Sequence, residues 1–183
     1  MFDAYRTASA KHDWQGVLEC LTPGGVKTSL VEAHMACLIH EHRPEVAKLL
    51  GKYNLNSQTV DEPYAARLRQ KQQAAQGDSA QPSLDVLLYG EVLAEHLGKR
   101  AAQFYQEACQ CTFGENSPVP LKIDNVTIRD NTALGTATFA SVIEMISKVG
   151  PGPETKTQTK TTFTEPMRFK KVAGSWLLEP VVQ

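Results

Sequence analysis

The chain has no apolar run approaching the roughly 20 residues needed to span a bilayer. Its opening, Met1-Phe2-Asp3-Ala4-Tyr5-Arg6, lacks the charged, then apolar, then small-residue order of an export signal. As written it reads as a cytoplasmic protein with no membrane insertion; the alternative is an exported protein whose signal peptide has been removed. Net charge is missing too. Lys+Arg 19 stand against Asp+Glu 20, which leaves no long-range field to gather nucleic acid or anionic lipid. The basic residues are scattered, Lys170-Lys171 being the densest pair of the second half, so the basic stripe of a nucleic-acid binder is absent.

Several chemical signatures are absent as well. There is no Gly-x-Ser-x-Gly, and Gly24-Gly25 lacks the lysine and spacing of a phosphate-binding loop, so that pair reads as a turn. The four cysteines, Cys20, Cys37, Cys109 and Cys111, lie in apolar helical stretches and read as small buried hydrophobes. A Cys20–Cys37 disulfide across the first helical hairpin is the alternative for an exported chain. Cys109-Gln110-Cys111 has neither the spacing nor the second pair of a structural zinc site. No internal repeat is visible, and no cofactor site is read.

What is present is a change of grammar near Glu115. Before it, apolar residues recur at helical spacing; after it, short alternating runs are bounded by turns. Helices followed by hairpins predict an α+β fold with helices laid on one face of an antiparallel sheet. Such a sheet curls around a hollow, and a hollow is where a function would sit. The chain is 183 residues long with 42% hydrophobic content, enough for a core of its own in one domain, 1–183.

Residues 2–11 predict a short helix. Asp13 reads as the N-cap of a second, in which Trp14, Val17, Leu18 and Leu21 form a buried stripe. Thr22-Pro23-Gly24-Gly25 ends it. Ser29-Leu30-Val31-Glu32 reads as a capping box opening a central helix from about Leu30 to His42. Arg43-Pro44 stops or bends that helix, and a short one with Val46, Leu49 and Leu50 closes at Gly51. Residues 52–83 read as an irregular excursion within the domain, with a polar helix at Tyr64 to Gln76. Ser83 caps a helix with Leu84, Leu87 and Leu88 on one face and Val92 nearby; Gly98 breaks it, and Lys99 to Cys111 buries Phe104, Tyr105 and Ala108. Strands follow at Leu121 to Ile128, Ala133 to Ile146, Thr155 to Thr164 and around Trp176 to Leu178. Their turns are Asp130-Asn131, Gly150-Pro151-Gly152-Pro153 and Ala173-Gly174. The Lys/Thr alternation of Thr155 to Thr164 is that of a long hairpin overhanging into solvent, or of a blunted edge.

The N-terminal helical pair with Lys11-His12-Asp13-Trp14, the helical middle and the ending Phe169-Lys170-Lys171-Val172-Ala173-Gly174-Ser175-Trp176-Leu177-Leu178 together resemble the nuclear-transport-factor-2-like superfamily, the cystatin-like, ketosteroid-isomerase-like folds. The resemblance implies a cone-shaped curved sheet around an apolar pocket. It also implies a range of activities: isomerases, dehydratases, polyketide cyclases and small-ligand binders. No segment matches the family's catalytic motifs closely enough to carry a residue across, and 52–83 departs from the family pattern.

Candidate chemistry is thin. His34, His40, Glu41 and His42 form the densest polar cluster, but His40 and His42 diverge by roughly 200° on a helix, and His34 and Glu41 lie roughly 10 Å apart along it. Histidines favourably placed at a helix C-terminus explain them better than a metal site. His96 reads likewise, or as a pocket acid/base partnered by Glu95, Tyr89 or a strand carboxylate. Asp130 belongs to its turn, with Arg129 beside it; Asp124 and Glu144 face cavity or solvent depending on register. Trp14, Trp176, Phe139, Phe163 and Phe169 are read as core, the alternative being pocket lining. The expected function is a non-catalytic small-ligand-binding or protein-interaction module with an apolar cone-like cavity, its partners a small apolar ligand or a second copy docked on the open sheet face. The alternative is an isomerase, dehydratase or cyclase using a pocket carboxylate or histidine.

Overall fold

A computed structural model describes residues 1–74, 84–112, 118–147 and 155–179, the side chains of 143–147, 155 and 156 excepted. The elements are α1 (Phe2–Ala10), α2 (Trp14–Glu19), α3 (Pro23–Ile39), α4 (Pro44–Lys52), a π-helical turn (Ser57–Asp61), α5 (Glu62–Ala74), α6 (Val86–Leu97), a 3-10 turn (Gly98–Arg100), α7 (Ala101–Thr112), β1 (Val119–Arg129), β2 (Thr132–Ser147), β3 (Thr155–Val172) and β4 (Ser175–Glu179). The α+β order read from the change of pattern is therefore present. No helix among the described residues is long and apolar enough to cross a membrane. The chain divides into two compact units, residues 21–112 and residues 1–20 with 113–183.

In the helical unit, α3 starts at Pro23, well before the Ser29 capping box. The Thr22 hydroxyl accepts the Gly25 N–H (3.0 Å), and Pro23 occupies the first turn, where its missing N–H costs nothing. Gly24-Gly25 is thus the opening of a helix and not a turn, while Ser29 is buried in its middle. Asp85 caps α6 through the Leu88 N–H (3.0 Å); Ser83, expected in that role, lies outside the described residues. The buried stripe of α6 is Tyr89, Val92, Leu93 and Leu97, whereas Leu84 and Leu87 are exposed. Gly98 does break the helix, at φ +53. The core is drawn wholly from the unit's own residues, among them Leu30, Cys37, Val46, Leu93 and Phe104, and Tyr53, Leu55 and Val60 of the expected excursion join it. Two helices cross closely at Gly90, where a Cβ would lie 2.6 Å from the Lys27 carbonyl oxygen.

In the sheet unit, β1 to β4 pair antiparallel in simple sequence order. Asp130-Asn131 and Ala173-Gly174 are two-residue turns, as expected, with Asp130, Ala173 and Gly174 at positive φ. The Gly150–Pro153 tip lies outside the described residues. Ala133, Ala137 and Phe139 of β2, Met167 and Phe169 of β3 and Leu178 of β4 are buried on one face, and Ala8, Trp14, Val17 and Leu18 of α1 and α2 are buried in the same unit. Asp13 caps α2 through the Gly16 N–H (3.0 Å), and the Trp14 stripe is buried as its spacing predicts.

The cone is not there. Among the described residues, four strands in the order β1-β2-β3-β4 leave an open sheet, with no pairing of β1 to β4. Bending a sheet into a cone takes bulges in its long strands. The β2–β3 ladder runs from Thr132↔Lys170 to Ser147↔Thr155 without one register shift, and the only shifts among the described strands fall on β1. The curved, cystatin-like sheet expected from the sequence is overturned by this ladder. The apolar cone-like cavity, and the pocket enzyme that was its alternative, lose their geometric basis with it.

Candidate functional site

The buried polar groups of the helical unit converge on Tyr89. Its hydroxyl donates to Asp61 Oδ1 (3.0 Å) and lies 3.3 Å from His34 Nδ1. Asp61 is placed by the π-helical turn, which Asn56 opens with a reciprocal cap: its side chain accepts the Thr59 N–H, and Thr59 accepts the Asn56 N–H. Tyr89 has one proton, and a carboxylate at the shorter distance takes it. His34 must then donate from Nδ1, which leaves Nε2 unprotonated, buried and without a hydrogen-bond partner. Burial is the main reason the His34 pKa falls to about 4, with the Asp61 charge opposing it. Burial, then Asp61, pushes the Tyr89 hydroxyl well above its usual range. Tyr64 packs edge-on against Tyr89 (5.0 Å) and its hydroxyl accepts the Asp85 N–H (2.9 Å). This is a buried polar strut. Its imidazole, with the pKa held at about 4, is neutral near pH 7.

The other histidines are dispersed. His40 caps the end of α3 and its ring lies 6.2 Å from that of His42. Among the described residues no group of three or more His, Cys, Asp or Glu is placed to hold a metal ion. His96 donates from Nε2 to the Tyr53 carbonyl (2.9 Å), tying the end of α6 to Tyr53. Two of its expected partners are engaged elsewhere, Glu95 with Arg67 (3.0 Å) and Tyr89 with Asp61. An open groove of about 340 Å³ lies between α4 and α7, lined by Glu45, Lys48, Leu49, Lys52, Glu107 and Cys111. Lys52 and Glu107 pair across it (2.7 Å). All four cysteines are free. Burial raises the Cys37 thiol to about 11 and Cys109 to about 12, so neither offers a thiolate.

On the sheet, Asp124 is exposed and pairs with Lys122 (2.7 Å); the Glu144 side chain lies outside the described residues. Trp14, Phe139 and Phe169 are core as expected, while Phe163 and Trp176 are half-buried, Phe163 stacked on Phe139 at 5.4 Å.

The feature that sequence reading missed is how the sheet edges are treated. β1 is guarded by Pro120, two register shifts and Arg6 of α1, whose Nη1 donates to the Leu121 carbonyl (3.4 Å). The outward N–H of Leu178 on β4 is taken by the Cys20 carbonyl (2.8 Å). β4 reaches only Arg168, so among the described residues β3 is without a partner on that side from Thr157 to Met167. Lys171 sends its N–H to Asn131 on the β2 side. With no register shift, odd-numbered residues of β3 therefore bond to β2, and Gln158, Lys160, Thr162 and Thr164 aim N–H and C=O outward. Pro166 falls in the same outward set, where proline disrupts no ladder. The alternating Thr/Lys pattern was the available signal; the bareness of the edge depends on where β4 and Cys20 stop.

No family model, curated protein or solved structure matches the chain, so the resemblance to the nuclear-transport-factor-2-like superfamily has neither a matching model nor a curved sheet behind it.

Proposed function

We propose that the sheet unit binds another polypeptide by strand addition, taking an extended segment onto the outward edge of β3 between Gln158 and Thr164. The observation that carries this reading is the contrast between edges among the described residues: β1 and β4 are covered or broken, and β3 is regular and without a partner. Added strands gain affinity from main-chain hydrogen bonds and specificity from alternate side chains. Each such bond contributes about 0.5–1.5 kcal/mol net, and the ordering of the incoming segment offsets part of it, which suits a reversible complex. Free thiols at Cys20, Cys37, Cys109 and Cys111 fit a reducing compartment.

The test is selection of a random-peptide phage library on the whole protein, with Thr162→Pro as the counter-target. That substitution deletes an outward N–H without touching the β2 ladder. Recovered peptides are expected to lose binding to Thr162→Pro, and to lose it again when one of their two alternate sets of amides is N-methylated, the other set tolerating it. Peptides that bind both proteins equally, or that tolerate N-methylation at both sets of alternate amides, would refute strand addition.

A further inference from the structure

Resting on that reading, we propose that the edge selects an acidic, alternating segment: an apolar residue beside Phe163 and a carboxylate beside Lys160. The chain's own β4 already occupies the same edge one step further along and shows what it accepts. Leu178 lies opposite Phe169 on the buried face, and Glu179 lies opposite Arg168 on the other. Glu179 holds Arg168 Nε at 3.0 Å and also reaches Lys170 Nζ at 4.0 Å. A segment continuing the line of β4 meets the same two rows. On the odd-numbered face it reaches Phe163, half-buried and stacked on Phe139. On the even-numbered face it reaches Lys160, which is exposed and has no ion pair among the described side chains. An antiparallel occupant therefore carries an apolar residue followed three positions later by Asp or Glu, since odd spacing puts the two on opposite faces.

A second copy fits less well. Edge-to-edge pairing about a two-fold axis sets even-numbered residues against even-numbered ones. Lys160 is even and Glu165, the acid of this stretch, is odd, so no register brings them together. Opposite charges across a strand pair stabilise and like charges destabilise.

The experiment is fluorescence anisotropy on the full chain. The probes are two labelled peptides of alternating pattern, one with Glu and one with Lys at the positions facing Lys160. The Glu peptide is expected to bind about tenfold tighter, with the order inverted by Lys160→Glu and the difference shrinking at high salt. Thr162→Pro should abolish both. Equal affinities that both vanish in Thr162→Pro would overturn the charge rule and leave strand addition standing. A dimer in sedimentation that Thr162→Pro dissociates, with neither peptide binding, would make the occupant a second copy and overturn the acidic partner. Absence of any binding or dimer sensitive to Thr162→Pro would bring down strand addition itself.

Discussion

Replacing His34 with leucine should remove an acid sensitivity from the helical unit. His34 is 3% exposed, its Nε2 has no partner, and burial holds its pKa at about 4 against an ordinary value of 6.5. Between those values the unfolded chain binds a proton that the folded chain refuses. Stability is therefore full above pH 6.5 and falls as pH drops through the window, the loss being complete near pH 4. A difference of roughly 2.5 pH units at about 1.4 kcal/mol each amounts to about 3 kcal/mol, a large share of a typical folding free energy of roughly 5–15 kcal/mol. Tyr89 and Asp61 face the imidazole. The Asp61 charge already works against the shift, so it is contained in that figure. His34→Leu loses one hydrogen bond to Tyr89, which keeps its bond to Asp61, and relieves one orphaned nitrogen; near pH 7.5 these changes should leave stability within about 1 kcal/mol. The assay is urea denaturation at steps from pH 7.5 to 4.5. Far-UV circular dichroism follows the helices, and tryptophan fluorescence reports the sheet unit, because Trp14 and Trp176 both lie there. The wild-type helical transition should weaken with acid relative to the variant. Parallel curves for the two proteins would refute the burial argument.

Other substitutions probe the packing. Gly90→Ala drives a Cβ to 2.6 Å from the Lys27 carbonyl oxygen, backbone that cannot swing aside, and should destabilise by about 1–3 kcal/mol in denaturant titration. Gly51→Ala is its counterpart: inside α4, with nothing within 4 Å of the new methyl, it should raise the unfolding midpoint by about 0.5–1 kcal/mol equivalent. Asp85→Ala removes the α6 cap and the Lys71 bridge (2.6 Å); a loss of about 1 kcal/mol is expected from the cap, and a loss near zero would show the cap replaced by water.

The parts of the fold that could be read from the sequence are those fixed by neighbours in the chain. Asp13 caps α2 three residues from its target, and the two-residue turns at Asp130-Asn131 and Ala173-Gly174 declare themselves through Asp130 and Gly174, residue types that tolerate positive φ. Thr22-Pro23 carried a proper N-cap and N1 signal, masked by the glycines after it. What could not be read is what each apolar face meets. The stripes of α3, α6 and α7 close on one another, yet the same spacing would serve helices lying on a sheet, and from that ambiguity the cone followed. Curvature is likewise invisible, because it depends on whether β2 and β3 slip by one residue anywhere along their shared ladder, and they do not. The polar strut joins His34, Asp61 and Tyr89 from three separate elements, so no local spacing announces it. The edge of β3 combines both situations. Its parity is written in Thr157-Gln158-Thr159-Lys160-Thr161, but its openness among the described residues depends on distant ones: Cys20 turns to Leu178, and the described pairing of β4 stops opposite Arg168. The proposed strand addition thus depends on where other segments stop. Extending β4 by designed residues that continue pairing past Arg168 should therefore close the site without altering a single residue of β3.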